Sequence, residues 1–129
     1  MLNNADITIY NYDQVTGYYY PTVFRNVWWI RKQAATVGNS GLQTADQCTI
    51  RIPVEAAERE YKPFRVWQNQ KTKSSFWTLR EGDKIIHGIV YNKIKSLKDF
   101  ENYEYVTITG FSDNRYSSAF SKHWRVDAK

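Results

Sequence analysis

Apolar and polar side chains alternate along short runs of this chain. A period of two commits a run to a pleated strand, because successive side chains leave opposite faces of an extended backbone. Ile7 and Ile9 share one face while Thr8, Tyr10 and Tyr12 share the other, which predicts a first strand over residues 6–12 with Asn11 ending the isoleucine face in a polar residue. Residues 47–54 repeat the pattern: Cys48, Ile50 and Ile52 lie against Gln47, Thr49 and Arg51, in a strand that ends at Pro53. Tyr105 to Phe111 alternates again.

The segments between these runs carry turn chemistry. Asp13 to Gly17 predicts a hairpin turn leading into Tyr18-Tyr19-Tyr20, and Pro21 marks a sheet edge or a strand start because it has no N–H to give to a ladder. Residues 22–33 are rich in β-branched and aromatic types and predict a second long strand, in which the adjacent Trp28 and Trp29 must face opposite ways. Residues 34–46 read as a loop. Glu55 to Glu60 can form a helical turn that Pro63 stops, Phe64 to Trp67 reads as a short strand, and Gln68 to Ser75 reads as a loop. Phe76 to Leu79 follows as a strand, Glu81-Gly82-Asp83 as a turn, and Lys84 to Val90 as its continuation or partner. Ser96 with Asp99 predicts a capped short helix near residues 96–102, Ser112 to Arg115 a turn, and Lys122 to Val126 a last strand. The sum is an all-β domain over residues 1–129, a small β-barrel or sandwich of about seven short strands with one short helix.

Composition bounds the rest. With 129 residues, 42% of them hydrophobic, the chain has one core's worth of apolar surface. Ten Tyr, six Phe and five Trp suit sheet faces and subunit interfaces, and Trp28, Trp29 and Trp124 are the candidate interface aromatics. The lone Cys48 has no intrachain partner, so a buried thiol and a reducing site of synthesis are expected. The opening Met-Leu-Asn-Asn-Ala-Asp lacks a basic stretch followed by an apolar run, and no stretch is long enough to cross a bilayer, so neither a signal peptide nor a membrane is expected.

No constellation for catalysis stands out, and no enzyme, cofactor or metal is expected. His87 and His123 have no metal-ligand spacing, no serine sits in a nucleophile elbow, and the six glycines are scattered. Glu81 and Asp83 read as turn residues. The net charge of +5 is compatible with nucleic acid nearby. Residues 61–73 hold Lys62, Arg65, Lys71 and Lys73 with no Asp or Glu, a candidate loop against a phosphate backbone, with a solvated loop as the plainer reading. Arg115, Lys122, Arg125 and Lys129 add positive charge near the end of the chain. Trp67 and Trp77 offer stacking faces, although aromatics at alternating positions usually fill cores.

Several segments together resemble a family of small proteins encoded in the head–tail gene cluster of tailed phages and prophages. They are Ala5 to Asn11; Ser40-Gly41-Leu42 with Ala45-Asp46 before Ile50-Arg51-Ile52-Pro53; Phe76 to Asp83 running on to Gly88; and Asp113-Asn114-Arg115 with His123-Trp124. The resemblance implies a neck protein of the virion, made in the host cytoplasm: a head-completion or stopper subunit between the portal–adaptor rings and the tail. Such subunits form homo-oligomeric rings of about six or twelve copies around packaged double-stranded DNA. A tail-terminator or tail-completion protein has similar size and place. The resemblance carries over no catalytic residue. A monomeric nucleic-acid-binding β-barrel is the alternative, and a small enzyme with a dispersed site a third reading.

Overall fold

In a computed structural model, residues 5–35, 44–116 and 122–129 are described. Eight strands occur in the order β1 (Ala5–Tyr12), β2 (Tyr19–Ala35), β3 (Thr44–Pro53), β4 (Glu60–Tyr61), β5 (Phe76–Trp77), β6 (Lys84–His87), β7 (Tyr105–Asn114) and β8 (His123–Ala128). Six of them close into an antiparallel barrel in the order β1-β2-β3-β8-β7-β6, and β4 and β5 pair apart from it. The expected all-β class is therefore observed, in its barrel form. Two short helices accompany it, α1 (Phe64–Gln68) and α2 (Leu97–Phe100).

Closure depends on two bent strands. β2 pairs with β1 through Tyr19–Val27 and with β3 through Trp28–Ala35, so one strand serves both sides of a corner. The register slips where the partners change: Ala5 faces Val27, but Ile7 faces Phe24, leaving an extra residue on β2. Asn26 takes it up at φ 59°, a left-handed conformation that asparagine tolerates, and its N–H donates to Asp6 Oδ1 at 3.0 Å. β7 repeats the device, pairing with β6 through Tyr105–Thr107 and with β8 from Ile108 on, with a slip between Ile108 and Gly110. Strands that switch sheets at bulges are how twisted sheets turn corners and close.

The interior is filled by the predicted faces. Ile7, Ile9, Cys48, Ile50, Ile52, Ile85, Val106, Ile108 and Val126 are buried together. Trp77 plugs the space among them. Its ring meets Phe24 edge-on at 4.6 Å, Trp124 at 4.7 Å and Tyr61 at 5.0 Å, and its Nε1 donates to the Arg59 carbonyl at 3.1 Å. β5 brings it there by pairing with β4, with Tyr61 opposite Trp77.

The outer face of β1 is covered as well. Thr8 Oγ1 donates to the Gly88 carbonyl at 2.8 Å and accepts from Val90 N–H at 3.0 Å, and Tyr10 Oη donates to the Asn92 carbonyl at 2.8 Å. Phe100 of α2 packs edge-on against Tyr10 at 5.2 Å. The helix forms as expected, with the Ser96 hydroxyl accepting from Lys98 N–H at 3.2 Å.

Other expectations need correcting. Phe64 to Trp67 is helical, not extended: Pro63 offers its carbonyl to Val66 and Trp67 N–H, both at 2.9 Å. Phe64 and Trp67, three apart, then share one face while Arg65 and Val66 are exposed. The Phe76–Leu79 strand is cut to two residues, and the one after Asp83 ends at His87. β7 runs on to Asn114, through most of the expected 112–115 turn. The supposed loop at 34–46 is partly strand, since β2 reaches Ala35 and β3 begins at Thr44; its middle, with Ser40-Gly41-Leu42, lies outside the described residues. The β2–β3 hairpin therefore outruns the barrel. β1 pairs with β2 only as far as Val27 and β8 with β3 only from Cys48 on, so among the described residues the pairs from Lys32↔Gln47 to Ala35↔Thr44 stand as a two-stranded arm.

Truncating the plug should be expensive. Trp77→Ala should lower the unfolding free energy by about 3–5 kcal/mol and Trp28→Ala, half-buried outside the barrel, by less than about 2 kcal/mol, measured by urea denaturation; a reversed order would contradict this account of the core.

Candidate functional site

The four cations of the 61–73 segment do not form one surface. Lys62 pairs with Glu60 Oε2 at 2.7 Å and lies 5.3 Å from the centroid of the Phe76 ring. Lys73 Nζ donates to the carbonyls of Gln68 at 2.9 Å and Gln70 at 2.6 Å, satisfying the end of α1, and sits 5.4 Å from the centre of the Trp67 ring. Arg65 and Lys71 alone are well exposed. Two of the four thus have local partners: Lys62 at the β4–β5 pair, and Lys73 at the end of α1, which leaves carbonyls and a ring face that a flexible loop would not have.

Two of the three candidate interface tryptophans are interior. Trp29 and Trp124 are buried in the barrel, so neither offers a ring to another subunit; the bulge near Asn26 turns Trp29 inward, and alternation along β8 turns Trp124 inward. Trp29 stacks on His87 at 4.8 Å with planes 23° apart. Trp28 points outward and is half-buried, with the Arg51 guanidinium 4.7 Å from its ring centroid. Trp67 and Trp77 are also fully buried and present no stacking face.

The structure assembles a different cationic surface, along the outside of the first half of β2. Two clefts of about 180 and 290 Å³ share Pro21, Arg59 and Tyr91 and form one continuous trough. Arg25, Arg59 and Lys93 line it with the single acid Glu58. The side chains are held in place: Arg25 NH2 donates to Tyr91 Oη at 3.1 Å, and Arg59 NH1 donates to the Pro21 carbonyl at 2.9 Å and to Thr22 Oγ1 at 3.3 Å. Lys93 lies 5.3 Å from the Tyr18 ring and 5.5 Å from Tyr20, with Lys95 5.4 Å from Tyr18. These residues are distant in sequence, and the one local sign of them is the run Tyr18-Tyr19-Tyr20 before Pro21, which by itself reads as a turn exit and strand start.

A family model matches residues 2–129. The chain belongs to the family of unknown function DUF6751. No curated protein and no solved structure matches it. Among the described residues of this DUF6751 member, no three His, Cys, Asp or Glu side chains group as they would to hold a metal ion, and no helix is long and apolar enough to cross a membrane. His87 is half-exposed, with Nδ1 3.5 Å from Glu104 Oε2. Arg115, one of the positive charges near the end of the chain, is clamped on Asp113, donating from Nε at 2.9 Å and from NH2 at 2.7 Å. Asp113 is held below the usual carboxylate range by those bonds.

Asp83 departs most from its expected role. It sits in a turn, yet it is buried at one end of the barrel, where Asn11 Nδ2 donates to its Oδ2 at 3.0 Å and Tyr12 N–H to its Oδ1 at 3.3 Å. Asn11 also imitates a strand backbone, donating to the Thr78 carbonyl at 2.8 Å and accepting from Thr78 N–H at 3.2 Å. Burial pushes the Asp83 pKa from 3.8 up to about 6, against the opposing pull of those two bonds and of Arg80 and Lys84. Between these values the folded chain holds a proton that the unfolded chain has released, so this group's stabilising contribution is complete below about pH 4 and is lost as pH rises through about 6. Asp83→Asn lacks that titration. Relative to wild type it should therefore gain roughly 2–3 kcal/mol between pH 4 and pH 7.5 in urea unfolding, and parallel profiles for the two proteins would refute the assignment.

Proposed function

We propose that this chain is a structural subunit of a tailed-phage neck, a head-completion or stopper-type protein that forms a ring around the DNA channel between portal–adaptor and tail. The observation that carries the reading is the two-stranded arm, Lys32–Ala35 against Thr44–Gln47, which outruns the barrel with no third strand beside it among the described residues. An isolated two-stranded ribbon is marginal in water, and its open edges present unpaired N–H and C=O groups to any neighbouring strand. A ring of identical copies supplies such a neighbour to every arm at once. The closed barrel behind it is a rigid body with few open edges, as suits a part held in an assembly. A tail-terminator subunit would use the same features one layer further along.

Mass photometry of the purified protein, alone and with preformed portal–adaptor rings, tests the proposal, together with electron microscopy to locate the chain in intact particles. Addition of about six or twelve copies per ring is expected. Ala34→Pro combined with Ala45→Pro removes arm N–H groups and should abolish this addition while the barrel melts as in wild type. A wild-type chain that stays monomeric beside such rings and is missing from particles would end the proposal.

A further inference from the structure

We propose that the trough along the outside of β2 is a binding site for single-stranded nucleic acid, a proposal independent of ring assembly. Its floor excludes the commonest occupant of a sheet edge, an added strand. Tyr19 N–H and C=O both bond Ile94, at 2.6 and 3.2 Å, and Pro21 turns its carbonyl the same way to Arg59, so by alternation Val23 also faces the trough. Pro21 has no N–H, and its carbonyl is already taken, which breaks any ladder at its centre. The occupant must be recognised by side chains.

Those side chains fit one chemistry. Arg25, Arg59 and Lys93 against Glu58 make the lining cationic, suited to phosphates. Tyr91 is 68% exposed, yet its hydroxyl is tethered to Arg25, so a bare ring is held in a fixed place. Such a ring is a stacking platform for an unpaired base, whereas it gives nothing to a duplex, whose bases are already stacked, so a duplex has only the cations. An acidic peptide would satisfy the cations but leave the ring uncovered.

Fluorescence anisotropy with a labelled oligothymidylate, the matching duplex, and polyglutamate as competitor tests this. The oligothymidylate should bind more tightly than the duplex, with log K falling against log salt at a slope of roughly −2, three phosphates at about 0.7 each. Tyr91→Ala should weaken binding about tenfold, and Tyr91→Phe, which keeps the ring but loses the Arg25 tether, by a smaller factor. Arg25→Gln with Lys93→Gln should flatten the slope by about 1.4, while Arg65→Gln with Lys71→Gln should leave both affinity and slope unchanged. All these positions are on the surface, and an unchanged melting temperature would confirm that the variants fold. Absence of binding at low salt, duplex binding that matches the single strand and ignores Tyr91, or displacement by polyglutamate at equal charge would each overturn the proposal, the last in favour of an acidic protein partner.

Discussion

β2 belongs to two sheets, and the residue that permits this also decides which side chains form the core. Strict alternation from the inward Phe24 would send Trp28 inside and leave Trp29 outside. The extra residue near Asn26 reverses the parity, so Val27 and Trp29 enter the barrel and Trp28 leaves it. The stack of Trp29 on His87 and the Arg51–Trp28 contact both follow from that shift. Asp6 secures it by accepting the Asn26 N–H, so a side chain from β1 fixes the corner of the neighbouring strand. Without this corner the β1-paired and β3-paired halves of β2 would run on in one direction, and the sheet would be harder to close.

The parts of the fold legible in the sequence are those where one face of a strand meets the core and nothing else intrudes. Ile7 and Ile9, and Cys48, Ile50 and Ile52, point inward as their alternation requires. Legibility fails where a second contact competes. Tyr10 alternates as an outward residue, but the 88–100 segment covers it, so β1 is buried on both faces. Phe64 to Trp67 has strand-like composition, and its helical spacing becomes visible only once Trp67 is known to be buried and Arg65 exposed. Asp83 reads as a turn acid because nothing local reveals that Asn11, 72 positions earlier, lies beside it. The trough was illegible for the same reason: Arg25 comes from β2, and Arg59 and Lys93 from two separate connecting segments that meet it only in the fold.

The aromatic content has a different meaning once the barrel is known. A small closed barrel needs a few large side chains to fill its lumen, and Trp29, Trp77, Trp124 and Phe24 do so. Tyr61 packs on Trp77 and Trp124, while Tyr10 and Tyr19 both meet Phe100 edge-on. Most of the rings that suggested an interface are thus consumed within one chain. The case for assembly rests instead on an arm that has no third strand among the described residues, which composition does not register. Charge is redistributed in the same way, since Lys62, Lys73 and Arg115 are bound to local partners.

Pro21 links these observations. At one end of β2 it spoils the strand edge, and the Arg59 bond to its carbonyl completes the block. At the other end, from Lys32 to Ala35, the same strand has no proline and no third partner among the described residues. A single strand thus carries two surfaces that differ in how its backbone is engaged. Backbone pairing is open to the arm and closed to the trough, whereas side-chain charge and a fixed ring belong to the trough. Edges left available to strands and edges protected from them are both sequence choices that natural sheets make explicitly. The separation depends on one imino acid placed on the barrel side of the bulge, where β2 pairs with β1 on one flank and borders the trough, with Ile94 and Arg59 bonded to it, on the other.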